Sequence, residues 1–148
     1  MRTLWERALI VEFELAGSPA RATQILDGWG EPGRRAAVSA IGVDYAFLVA
    51  YSAFLALAAA VVAARSPGWW GRAGRFVPWL CLLAGAADAV ENTILLRVID
   101  GYRHGGVGSL APALAADAAR VKFGLILVVA GYLLVGLAMI VARRLIPT

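Results

Sequence analysis

Histidine and cysteine occur once each, as His104 and Cys81. A lone histidine excludes a haem or zinc centre built from histidines within one chain, and neither a metal nor another cofactor is expected. A lone cysteine excludes an internal disulfide and a thiolate cluster. Cys81 lies in the apolar run LCLLAGA and reads as core filling. Charge is scarce too, at 16% of residues against 61% hydrophobic, with a mean hydropathy of +0.74. That balance is far too apolar for an ordinary soluble domain. No GxxxxGK[ST], GxSxG or HExxH string occurs, nor a GxGxxG opening a helix, which removes the commonest nucleotide, hydrolase and metalloprotease signatures. The 14 basic and 10 acidic residues give a pI near 9.8. The arginines flank apolar segments instead of forming a stripe. They therefore mark membrane edges, and no nucleic-acid partner is expected.

What is present is three segments of bilayer length. Residues 36–64 carry one charge, Asp44, between Arg35 and Arg65. Residues 76–96, FVPWLCLLAGAADAVENTILL, lie between Arg75 and Arg97 and contain Asp88, Glu91 and Asn92. Residues 123–142 carry no charge, between Lys122 and Arg143. Pro112 suits a first helical turn, so the third helix is expected from about residue 112. SPGWWGRAGR (66–75) reads as a short Gly/Pro loop with Trp69 and Trp70 at headgroup level, and DGYRHGGVGSLAP as a flexible connection.

Ahead of these, residues 4–17 read as helical, and Ser18-Pro19 as the cap of a second short helix to about Asp27. GWGEPGRR (28–35) reads as a turn cluster. Glu6, Arg7, Glu12 and Glu14 argue against a lone span there. An interfacial or re-entrant pair is expected, with a fourth, protein-covered span as the alternative. The early acids also break a signal-peptide pattern. The expected fold class is thus all-α: an integral membrane helical bundle, one domain over 1–148. It has an N-terminal helical segment (1–35) and spans at 36–64, 76–97 and 112–143. The expected localisation is the cell membrane, multi-pass, among membrane lipids.

The polar residues at membrane depth gather towards one side. Asp44 follows Arg35 by nine positions, Asp88, Glu91 and Asn92 precede Arg97, and Asp117, Arg120 and Lys122 open the third helix. Asp88, Glu91 and Asn92 are spaced i, i+3, i+4 and share one face, while Asp117 and Arg120 can pair at i+3. A centrally placed acid costs roughly 2.5–3.5 kcal/mol on insertion scales, so these groups predict an interior polar pocket with Lys122 the natural partner of Glu91 or Asp88. Polar groups that only fix helix register are the plainer alternative.

Three functions fit such a pocket. In the first, it binds a small or lipophilic ligand, or conducts a proton or cation, with Asn92, Tyr45, Tyr51 and Lys122 as ligand-binding residues. Three spans rarely enclose a pathway alone, so a homo-oligomer is expected. In the second, Asp88, Glu91 and Asp44 are catalytic in an intramembrane acid–base enzyme of isomerase or epoxide-opening type. In the third, the chain is an accessory subunit of a membrane complex. The strings FELAGSP, GxxGR, DYAFLVAY and DAVEN resemble a family of small, uncharacterised bacterial multipass membrane proteins. That likeness implies a multipass fold over most of the chain and carries no activity with it.

Overall fold

The computed structural model describes residues 10–145, so the start of the expected N-terminal helix, residues 4–9 with Glu6 and Arg7, lies outside the described residues. After a short helical stretch at 10–14 come α1 (Pro19–Arg65), α2 (Gly68–Gly74), α3 (Val77–Arg103) and α4 (Ala111–Leu145). Three helices, within Pro19–Arg65, Gly68–Arg103 and Ala111–Arg143, are long and apolar enough to cross a membrane. The architecture is an all-α helical bundle, with no strand among the described residues.

The helix boundaries follow local chemistry. Gly17 turns the chain at φ 67°, and the Ser18 hydroxyl accepts the Arg21 amide at 3.3 Å, capping α1 where proline takes the first helical position. α4 begins at Ala111, with Pro112 in its first turn. Two expectations are corrected. Residues 28–35 do not form an open turn cluster. The helix runs on through them, broken at the single residue Gly30 (φ 60°, ψ −178°), with Pro32 unable to donate an amide back to residue 28. Residues 66–75 are not a loop either: Gly68–Gly74 form α2.

The chain divides into two compact units. Unit 1 comprises the chain up to Leu48 together with Ala87–Val121, and unit 2 comprises Val49–Ala86 and the chain from Lys122 onwards. Unit 1 is built around Phe13, Ile25, Leu26, Ile41, Leu95 and Ile99, and the Phe13 ring meets Trp29 edge-on at 5.1 Å. The break at Gly30 is tied down beside this core. Glu31 pairs with Arg35 at 3.0 Å, with Arg34 at 3.2 Å and with Arg103 of α3 at 3.3 Å. Arg34 also donates to the Leu26 carbonyl at 2.7 Å and lies 5.1 Å from the centroid of the Tyr102 ring, whose hydroxyl donates to Asp27. Hydrogen bonding from Arg35, and then from Arg34, holds the Glu31 carboxyl below its ordinary value against the opposing effect of desolvation.

Unit 2 packs Ala59, Val62, Val77, Cys81, Val129 and Tyr132. Cys81 is fully buried there. Trp70 of α2 turns inward and stacks on Tyr132, with centroids 5.2 Å apart and planes 8° from parallel, whereas Trp69 stays exposed. Glycines permit this closeness. A Cβ on Gly136 would collide with Val62 and come within 3.0 Å of Trp70 Nε1, and a Cβ on Gly74 would collide with the Tyr132 hydroxyl.

Two outcomes are expected in thermal unfolding measured in detergent. Gly136→Ala should destabilise by about 1–3 kcal/mol through overpacking, while Gly131→Ala, with nothing within 4 Å of its added Cβ, should not destabilise. The Glu31 carboxyl is held low, so its contribution is present above its ordinary range and is lost as pH falls through the lowered value. Acidifying from about pH 5 to pH 3 should therefore lower the unfolding midpoint less in Glu31→Gln than in the parent protein.

Candidate functional site

Helical spacing alone puts Asp88, Glu91 and Asn92 on one face of α3, and all three are buried, at 3%, 0% and 3% exposure. They belong to unit 1, as does Asp44 on α1. Asn92 donates its side-chain amide to Asp44 Oδ2 at 2.7 Å. One position further along each helix, the Tyr45 and Thr93 hydroxyls are hydrogen-bonded at 2.8 Å. Thr93 also donates to the Ala89 carbonyl, which turns its hydroxyl along its own helix and leaves it able to accept from Tyr45. Two adjacent side-chain bonds thus fix where α1 and α3 cross.

The carboxylates of Asp88 and Glu91 on α3 and that of Asp44 on α1 have different surroundings. Glu91 is among the largest fully buried side chains of the molecule, next to Leu95 and Ile99 in size and burial. Asp44 is only partly buried and is held by a neutral amide donor. A carboxyl group removed from water must be protonated, paired or coordinated, because an isolated ionised one would cost tens of kcal/mol in a low-dielectric medium. The arrangement therefore offers three oxygen-bearing acids, an amide and two hydroxyls within one unit, chemistry suited to holding a proton, a cation or a polar ligand group.

The remaining expected site residues fall elsewhere in the chain's division. Tyr51 and Lys122 belong to unit 2. Lys122 is buried, with its ammonium 4.7 Å from the centroid of the adjacent Phe123 ring. Asp117 and Arg120 do pair, at 2.6 Å, but both side chains are exposed. His104, at the end of α3, turns back to the Asp100 carbonyl at 2.9 Å, as a helix-terminal contact. Thr93 is the residue that sequence reasoning missed. Its signal is weak, a single hydroxyl next to DAVEN in a run whose costs lie in Asp88 and Glu91.

Comparison with protein families, with curated proteins and with solved structures finds no match to this chain.

Removing the amide that holds Asp44 tests the crossing directly. Asn92→Leu should cost about 1–3 kcal/mol, since a partly buried carboxylate loses its donor. Tyr45→Phe should cost less, about 0.5–1.5 kcal/mol, because it deletes one neutral bond to an exposed hydroxyl. Thermal unfolding of both variants in detergent gives the comparison.

Proposed function

We propose that this chain is a multi-pass protein of the cell membrane whose carboxylate cluster, Asp88 and Glu91 with Asp44 and Asn92, takes up and releases a proton in the course of binding a cation or a small or lipophilic ligand. The observation that supports this most is the joint burial of Asp88 and Glu91 on one face of a helix apolar enough to cross a membrane. Acids there are costly, and intramembrane ionisable groups are by default functional. The Asn92–Asp44 and Tyr45–Thr93 bonds also tie α1 to α3 beside them, so the cluster stands next to a fixed helix crossing. A homo-oligomer is the assembly this reading favours, since three spans enclose little on their own.

A second reading draws on one further observation, the contrast between fully buried Glu91 and partly buried Asp44. Carboxyls in unlike environments divide acid and base roles, as an intramembrane isomerase or epoxide-opening enzyme requires. Both readings need a proton on Glu91 or Asp88.

A lipophilic carbodiimide, which reacts with protonated carboxyl groups in apolar surroundings, tests that need. Labelling followed by peptide mass spectrometry should find the adduct at Glu91 or Asp88, and its yield should fall as pH rises. Glu91→Gln and Asp88→Asn should each remove the adduct at the substituted position and abolish proton uptake, while staying within about 1 kcal/mol of the parent in thermal stability. Absence of any adduct at either position across the pH range would reject proton binding. Large stability losses in both variants, with uptake intact, would leave the cluster a purely structural one.

A further inference from the structure

Few of the contacts that keep a helix in place hold α2. It has seven residues, of which only Gly74 is buried, and no side chain caps its N-terminus at Pro67. A helix this short does not persist on its own backbone bonds. Trp69 and Arg72 are exposed, so its inward anchor is Trp70, stacked on Tyr132 and received at Gly136 beside Val62. At its start Gly68 has a φ of 62° and open space where a Cβ would stand, so the chain turns there with no neighbour to hold it. At its end the Arg75 amide donates to the Arg72 carbonyl and the Phe76 amide to the Ala73 carbonyl, forming the turn into α3.

This docked position also leaves polar atoms unpaired. Ser66 Oγ, Trp70 Nε1 and the Tyr132 hydroxyl are buried and have no hydrogen-bond partner among the described residues. All three belong to the contact between α2 and the rest of unit 2. Trp70 is part of α2, the Tyr132 hydroxyl occupies the place of a Gly74 Cβ, and a Cβ on Gly71 would collide with the Ser66 carbonyl. Buried polar atoms without partners favour any arrangement that returns partners to them. Trp70 has such an arrangement within reach. Arg65, Arg72 and Arg75 mark this connection as a membrane edge, where an indole rests with its ring in the apolar layer and its N–H among headgroups.

We propose that α2 is a lid on unit 2, with Trp70 as its plug. It exchanges between the docked position and a raised one, in which the indole leaves Tyr132 and enters the headgroup layer beside Trp69. Pro67–Gly68 and the turn at Arg75–Phe76 are its hinges. Raising the lid uncovers Ser66 and the Tyr132 hydroxyl, and all three unpaired atoms then gain partners, which offsets the loss of the stack. Segments with few buried contacts are the ones that open while the rest of a protein stays folded. The close seats at Gly71, Gly74 and Gly136 return the lid to one docked position. The device lies wholly within unit 2 and does not depend on the carboxylate cluster.

Thiol labelling of the full chain in lipid nanodiscs tests the proposal, with Cys81 as an internal standard. Ser66→Cys places a thiol on the residue against which Gly71 packs, at an atom buried in the docked position. Cys81 is 0% exposed in the core of unit 2 and reacts only when that core opens. A water-soluble maleimide should label the thiol introduced by Ser66→Cys at least about a hundredfold faster than Cys81. Adding Tyr132→Phe keeps the ring that stacks on Trp70 and removes an unpaired hydroxyl from the docked position, so labelling should slow about tenfold. Equal rates at the two thiols would mean that unit 2 opens as a whole and would overturn the lid. So would an unreactive thiol at position 66, or labelling that Tyr132→Phe leaves unchanged or accelerates. Should Ser66→Cys not fold, amide hydrogen exchange over residues 69–75 takes its place. Tyr132→Phe should slow that exchange about tenfold, and unchanged or faster exchange overturns the proposal.

Discussion

The hydrogen bond from Asn92 to Asp44 is the contact on which unit 1 depends. A buried amide and a partly buried carboxylate between apolar helices have few alternatives, so any sliding of α1 along α3 would expose each to hydrocarbon without its partner. Apolar side chains give no such discrimination, because Ile41 and Leu95 can exchange one aliphatic neighbour for another at little cost. With the crossing fixed, helical spacing alone places Asp88 one turn before Asn92 and Glu91 directly before it, on the same face of α3.

A different principle operates in unit 2. Its core is packed closely against glycines, and shape sets its register. Gly136 admits Val62 and the Trp70 indole, and Gly74 admits the Tyr132 hydroxyl. In a membrane, where lipid tails are as apolar as leucine, close backbone approach of this kind supplies what hydrophobic burial supplies in water. One unit is specified by polar chemistry and the other by the absence of side chains.

This difference explains what the sequence revealed. Span length, flanking arginines and the proline starts at Pro19 and Pro112 were readable, because each is a local property. So was the common face of Asp88, Glu91 and Asn92. Residues 66–75 were misread because their glycines and proline describe a loop by composition, and seven residues are too few to hold a helix unaided. α2 exists through the stacking of Trp70 on Tyr132, a contact between positions 62 residues apart that no local pattern announces. The break at Gly30 was legible as irregularity, but its confinement to one residue depends on Glu31 and Arg34 finding partners on α1 and α3. Thr93 was passed over because a hydroxyl beside two carboxylates looks minor until its partner Tyr45 is seen.

The break in α1 also bears on how the protein meets bilayers of different thickness. The apolar stretch 36–64 is roughly 43 Å long at about 1.5 Å per residue, against a hydrocarbon layer of ~30 Å. Backbone groups freed around Gly30 and Pro32 require water or protein partners and resist being drawn into lipid, so that end of the helix has little freedom to move along the membrane normal. The excess length must then be absorbed by tilt or accommodated at the Arg65 end. A thinner bilayer would bring more of that end into the headgroup layer, where the arginines and Trp69 tolerate it, without moving the polar crossing of α1 and α3 relative to the opposite surface.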